Sequence, residues 1–251
     1  MGVTKTRPRR AFLLAGGLGE RLRPLTDHLP KCLAPIDGVP LLALWLDLCA
    51  RHGVTQVLVN VSRHVEMVER VVASRDWDVD VRVVREPNPI GNAGTVLANR
   101  DFVEDDESFY VLYADNLTDV SLDRLAARHA EHAAPLSMGL FHTNAPQASG
   151  IVQLAADGLI EAFEEKPAQP VGNLANAGIY VGRQSLFDAI PRRDAVVDFG
   201  RDVFPHLTKR MYGVLLGGFL MDIGTPAALA LASRQWLERG TAPDRLQGSP
   251  S

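Results

Sequence analysis

Apolar residues along the chain alternate between two spacings. Nearly continuous apolar runs at residues 11–15, 56–61, 79–84, 109–114, 136–141 and 179–181 read as strands, and such runs suit strands buried on both faces. Between them, residues 41–51, 64–75, 93–100 and 122–132 carry apolar side chains at helical spacing. Alternating β and α segments predict an α/β fold: a mainly parallel, Rossmann-like twisted sheet flanked by helices, with ligands beyond the carboxyl ends of its strands. After about residue 135 the segments shorten, with strands expected at 151–154 and 159–163, and this half reads as a smaller mixed α+β portion walling a cleft. Residues 226–238 predict a closing helix with Pro226 in its first turn. The organisation expected is a single domain over 10–240, split into halves 10–135 and 136–240, with flexible tails at 1–9 and 241–251. The basic stretch Arg7-Pro8-Arg9-Arg10 is read as a solvated arm, and no internal repeat is present.

Composition narrows the function. With 251 residues, 46% hydrophobic and 22% charged, the chain is long enough for a sizeable core. A net charge of −4 gives no electrostatic footprint for nucleic acid or an anionic membrane surface. No apolar run approaches the roughly 18–20 residues of a membrane span, and the first apolar stretch is strand-sized and runs into glycines. A cytoplasmic location with small-molecule partners, and neither nucleic acid nor membrane, is the expectation. Two cysteines, Cys32 and Cys49, fit neither a disulfide framework nor a zinc site, and Cys32 has no evident partner base. His129 and His132 share a helical face and read as solvated surface. Only four lysines occur, Lys5, Lys31, Lys166 and Lys209, against twenty-two arginines, and Lys31 and Lys166 both fall in the motifs below.

The strongest chemical signal follows the first strand: Leu14-Ala15-Gly16-Gly17-Leu18-Gly19-Glu20-Arg21, then Pro30-Lys31. Glycines directly after a strand let backbone N–H groups approach phosphate oxygens, and Arg21 and Lys31 could converge on the same anion. The run lacks the third glycine of a dinucleotide fingerprint and the Gly-Lys-Ser/Thr of a Walker loop. Taken alone it is a glycine turn.

In context, the segment 15–40, with Pro30-Lys31, Pro35 and Pro40, resembles the signature of the sugar-phosphate nucleotidyltransferases. Four further segments match that family in order. Gly91-Asn92-Ala93-Gly94-Thr95 resembles its second glycine loop, and Tyr113-Ala114-Asp115 the strand end carrying a metal aspartate. Glu164-Glu165-Lys166-Pro167 with Asn176-Ala177-Gly178 resembles the sugar-side motifs, and Met221-Asp222-Ile223-Gly224 the second metal motif. The resemblance runs from about residue 10 to 232 and implies a GT-A-like nucleotidyltransferase fold. It implies that a nucleoside triphosphate and a sugar 1-phosphate are joined with release of pyrophosphate. The nucleophile is then a phosphate oxygen, largely dianionic at pH 7 with a second pKa of about 6, so no general base is needed.

Residue by residue, the resemblance implies that Arg21, Lys31 and Asp115 are catalytic and that Asp115 and Asp222 hold Mg²⁺. Leu14, Ala15, Gly16, Gly17, Gly19, Glu86, Gly91, Gly94 and Thr95 would bind the nucleotide. Gly150, Glu165, Lys166 and Asn176 would bind the sugar phosphate. Asp119 and Glu164 read as capping or solvated, and Asn92 as shaping its turn. The chain departs from the family pattern at Ala114, Asn92, Ser149 and Met221, none of which removes a charged group. Glu86 stands where the family reads the base. A carboxylate offers acceptors only, which matches the paired N1–H and 2-amino donors of guanine and favours GTP over UTP, dTTP or CTP. A non-sugar phosphate acceptor and a catalytically silent binding homologue are the alternatives. The oligomeric state, a homodimer included, is left open.

Overall fold

The long apolar runs form the centre of one sheet. The computed structural model describes residues 7–240. In order the chain forms β1 (Arg10–Leu14), β2 (Pro35–Ile36), β3 (Val39–Pro40), α1 (Leu41–Arg51), β4 (Gln56–Val61), α2 (Val65–Val72), β5 (Asp80–Arg85), α3 (Asn92–Ala98), β6 (Ser108–Tyr113) and β7 (Asn116–Thr118). It continues with α4 (Leu122–His129), β8 (Leu136–His142), β9 (Gly150–Leu154), β10 (Ile160–Glu165), β11 (Leu174–Arg183), α5 (Phe204–Leu207), β12 (Met211–Leu215), β13 (Leu220–Asp222) and α6 (Pro226–Glu238). The main sheet has nine strands, ordered β10-β9-β11-β6-β1-β4-β5, with β8 also paired to β11 and β12 to β8. Strands β6, β1, β4 and β5 run parallel, whereas β11 joins β6 antiparallel and carries the sheet without a break into the second half.

Pleating divides the core. In β1, Ala11 and Leu13 pack on one face with α1, α4 and α6, while Phe12 points to the other, among residues of α3 and the Phe199–Leu207 segment. Helix α1 is buried almost all round, with Leu41, Leu42, Leu46, Leu48 and Trp45 wholly or almost wholly inaccessible. Helix α6 starts as its sequence demands: Pro226 opens the first turn and the Thr225 side chain accepts from Ala228 N–H at 3.2 Å. No helix among the described residues is long and apolar enough to cross a membrane.

The expected α/β architecture is the one observed, with three local corrections. First, residues 7–9 of the expected tail make fixed contacts with the fold, with Arg7 and Arg9 exposed. Pro8 is buried, the Arg9 carbonyl accepts from Thr55 N–H at 2.8 Å, and Arg7 pairs with Asp123 at 3.4 Å. The rest of the expected tails, 1–6 and 241–251, lies outside the described residues. Second, His129 is not solvated, and His132 is only partly so. His129 is 1% exposed and its Nδ1 lies 2.9 Å from Ser137 Oγ, while His132 stacks on Tyr212 with ring centroids 4.0 Å apart. The polar-looking face of α4 packs on β8 and β12, where a serine and an aromatic ring receive the imidazoles. Third, β11 spans ten residues where three were expected, because a bulge between Asn176 and Tyr180, with Gly178 at φ +69°, breaks its apolar signature.

Candidate active site

A cleft of about 290 Å³ opens at the carboxyl ends of β1, β4 and β6. Its floor is the glycine loop. A side chain at Gly16 would put its Cβ 2.5 Å from Asn60 Nδ2, so only glycine lets the loop lie against β4. Ser62 Oγ donates to the Gly16 carbonyl at 2.9 Å and Thr26 Oγ1 to the Gly19 carbonyl at 2.8 Å, which holds the loop from both sides. Leu14, Ala15, Gly16, Gly17, Lys31, Glu86, Gly91, Thr95 and Asp115 all line this cleft. Gly19 and Gly94 do not. Gly19, at φ +65°, turns the chain into the Glu20–Leu22 turn, and Gly94 N–H donates to the Val197 carbonyl at 3.2 Å.

At the mouth of the cleft four charged groups converge. Lys31, 9% exposed, places Nζ 3.0 Å from Asp115 Oδ2 and 3.1 Å from Asp222 Oδ1. Arg21 lies 3.8 Å from the other oxygen of Asp222 and is largely exposed. The aspartates are 107 residues apart, and the small β7–β13 ribbon brings them together by pairing Asp222 with Asn116, next to Asp115. Ile223 N–H closes the junction on the Asp115 carbonyl at 3.2 Å. Both carboxylates are about half exposed, so each has room for a further partner. The donor set is oxygen-only, which is what Mg²⁺ prefers. Among the described residues no cluster of three or more His, Cys, Asp or Glu could hold a metal, so an ion here would need substrate oxygens to fill its shell. Cys32 also lines the cleft, but burial pushes its thiol up to about 12, far from a nucleophile's range.

The expected sugar-side residues gather on β9, β10 and β11. Glu165 is half-buried beside Lys166, at 3.5 Å, and burial raises its carboxyl above the ordinary value. A Cβ on Gly150 would come within 2.9 Å of Glu165 Oε2, and one on Gly200 within 2.7 Å, so two glycines make its slot. Lys166, at φ +50°, extends into solvent. Asn176 Oδ1 accepts from Gly178 N–H at 2.9 Å and shapes the bulge.

Asn60 and Asp198, not singled out from sequence, tie the two sides together with Asn92. Asn60, at the carboxyl end of β4, bridges the glycine loop to Glu86 and Thr95. Asn92 does more than shape its turn: its Nδ2 donates to Tyr113 Oη and Asp198 Oδ2, both at 2.8 Å, and its Oδ1 accepts from Phe199 N–H at 2.7 Å. Asp198 and the turn after it are thereby held against the second glycine loop. The available signal for Asn60 was a lone amide ending an apolar strand; Asp198 had none, and Tyr113 stood only as the first residue of the strand-end motif. Asp119, expected to cap, accepts from Phe219 N–H and from Arg239 at 3.0 Å.

Comparison with known proteins agrees with this geometry. The family model of nucleotidyl transferases matches residues 10–239. The chain is 30% identical over 249 residues to the catalytic subunit beta of mannose-1-phosphate guanylyltransferase from Danio rerio, covering 96% of this chain and 69% of that one. The Drosophila melanogaster counterpart is 34% identical over 222 residues, covering 86% of this chain and 60% of its own. In fold, the crystal structure of HddC from Yersinia pseudotuberculosis superposes with a TM-score of 0.76 at 21% identity, over 91% of this chain and 99% of that one. A glycine loop at the sheet's carboxyl edge, the buried Lys31 and a family match over almost the whole described chain lead to one conclusion: this protein belongs to the nucleotidyl transferase family, as its resemblance to the sugar-phosphate nucleotidyltransferases implied.

Proposed function

We propose that the protein transfers GMP from GTP to a mannose-type sugar 1-phosphate, giving a GDP-sugar and pyrophosphate. The observation that carries the chemistry is the convergence of Lys31, Arg21, Asp115 and Asp222 at the mouth of a glycine-floored cleft. An oxygen of the sugar phosphate attacks the α-phosphorus, the new P–O bond forms, and the bond to the bridging α–β oxygen breaks as pyrophosphate leaves. The obstacle is repulsion between two polyanions, so the site's work is positioning and charge neutralisation. Lys31 is buried and pre-placed, and it meets the charge building on the α-phosphate. Arg21, exposed and extended, meets the leaving pyrophosphate. Asp115 and Asp222 would hold Mg²⁺, which when bound neutralises phosphate charge and fixes the α-phosphate's orientation. Lys166 neutralises the sugar phosphate, and Glu165 in its two-glycine slot accepts from sugar hydroxyls. Glu86 supports guanine as the base, and the guanylyltransferase relatives support both GTP and a mannose-type acceptor.

The test is pyrophosphate release by the purified protein with Mg²⁺, five nucleoside triphosphates and a panel of sugar 1-phosphates. Release with GTP and mannose 1-phosphate is expected. Release confined to UTP or dTTP would keep the chemistry and discard the role of Glu86. No release across the panel would refute the enzymatic reading.

A further inference from the structure

Glu86 stands at the end of a hydrogen-bond chain whose polarity is set by one backbone amide. Ala15 N–H, in the glycine loop, can only donate, and it donates to Asn60 Oδ1 at 2.9 Å. That fixes the amide's orientation: the oxygen faces Ala15, and Nδ2 faces Thr95 Oγ1 and Glu86 Oε2, each at 3.3 Å. Flipping it would set two oxygens 3.3 Å apart and leave Ala15 N–H facing an NH₂. Because Thr95 Oγ1 receives from Asn60, its single proton is free to be donated onward. The short contact, 2.7 Å, is to Glu86 Oε2, against 3.1 Å to the Gly91 carbonyl. Ile90 N–H supplies a third donor to Oε1 at 3.3 Å. Asn60 is 3% exposed and Thr95 fully buried, so this arrangement is part of the core, while Glu86 itself faces the cleft.

We propose that Asn60 and Thr95 are positioning residues for base selection, holding Glu86 as a fixed acceptor that recognises the paired N1–H and 2-amino donors of guanine. The inference rests on the assignment of Glu86 to the base. Among the described residues three donors and no acceptor touch the carboxylate, so the edge it presents to a base only accepts. The short Thr95 contact anchors the group, while the longer contacts leave acceptor capacity for incoming donors. A pyrimidine carbonyl placed there would face oxygen. A purine with one donor would satisfy it by half.

Inosine triphosphate, which lacks the 2-amino group, reads this directly. Pyrophosphate release with mannose 1-phosphate would be measured for GTP and ITP on wild type, Thr95→Val, Thr95→Ser and Asn60→Asp. Wild type should favour GTP over ITP in kcat/KM by about ten- to a hundredfold, the range for one hydrogen bond to a charged group. Thr95→Val removes the anchoring donor, and Asn60→Asp puts a carboxylate oxygen where the amide nitrogen was. Each should bring the ratio to within about threefold of one, and Thr95→Ser should restore it. A scaffold role alone would slow both nucleotides equally and keep the ratio; that result in Thr95→Val overturns the proposal. Should a variant turn over too slowly, calorimetric binding of GTP and ITP gives the same ratio. A wild type that prefers UTP or dTTP overturns the assignment of Glu86 itself, before any variant is read. A wild type that uses GTP and ITP equally overturns the two-donor recognition.

Discussion

Acidification should destabilise this protein through His129. Its imidazole is 1% exposed, its Nδ1 is taken up by Ser137 Oγ, and the charges around it are cationic or balanced. Arg183 donates to the His129 and His132 carbonyls at 3.2 and 2.9 Å, and Arg128 is paired with Glu131. Burial is the main cause of a depressed pKa, with Arg183 next, and together they push His129 from 6.5 down to about 3. The unfolded chain therefore takes up a proton below pH 6.5 that the folded chain refuses until about pH 3, so stability is lost as pH falls through that window. Linkage gives a loss of about 2 kcal/mol between pH 8 and pH 5, approaching about 4–5 kcal/mol below pH 3. His132, shifted the same way chiefly by burial, adds to it. The assay is urea unfolding, followed by tryptophan fluorescence between pH 5 and 8, for wild type and His129→Asn. Asparagine offers Ser137 an amide near the position of Nδ1 but does not titrate. The stability difference between the two proteins should shrink by about 2 kcal/mol on going to pH 5. A difference constant to within about 0.5 kcal/mol would refute the reasoning, whatever the absolute stabilities.

Three further outcomes follow from the site. Arg21→Ala and Asp115→Ala should each cut kcat by about a hundredfold to a thousandfold, as loss of a pre-placed electrostatic contact does, with melting temperatures within about 2 °C of wild type because both side chains are largely or half exposed. Chelation with EDTA should stop pyrophosphate release, and excess Mg²⁺ should restore it; turnover that survives chelation would exclude Asp115 and Asp222 as ion holders. Cys32 and Cys49, both pushed up to about 12 by burial, should resist iodoacetamide at pH 8 in the native protein, and mass spectrometry should find them modified only after unfolding.

The parallel half of the fold was readable because a strand buried on both faces writes itself as an unbroken apolar run. Gln56–Val61 and the helix Leu41–Arg51 fall where their spacing put them. The second half was harder. β12 contains Tyr212 and Gly213, and the β7–β13 ribbon has three residues per strand, too short for any period to emerge. The site's charged groups were legible through motif order. Their partners were not: Asn60, Asp198 and Ser62 act through contacts 26 to 106 residues distant, and beyond the lone amide that ends an apolar strand at Asn60 nothing local marks them. His129 was misread because a helical face looks polar until the element packed against it is known to offer Ser137.

The three-rung ribbon that seats Asp222 beside Asn116 also gives the site a place in time. During synthesis the glycine loop, Lys31, Glu86 and Asp115 are all made within the first half of the chain, and domains acquire structure as they emerge. The second carboxylate against Lys31 arrives more than a hundred residues later, at Asp222, and with it the partner strand that fixes its register. A chain ending at β11 would therefore contain the residues of its four parallel strands but only one carboxylate of the pair. The charged cluster is thus completed only after strands β9, β10 and β11 of the expected acceptor side have been made.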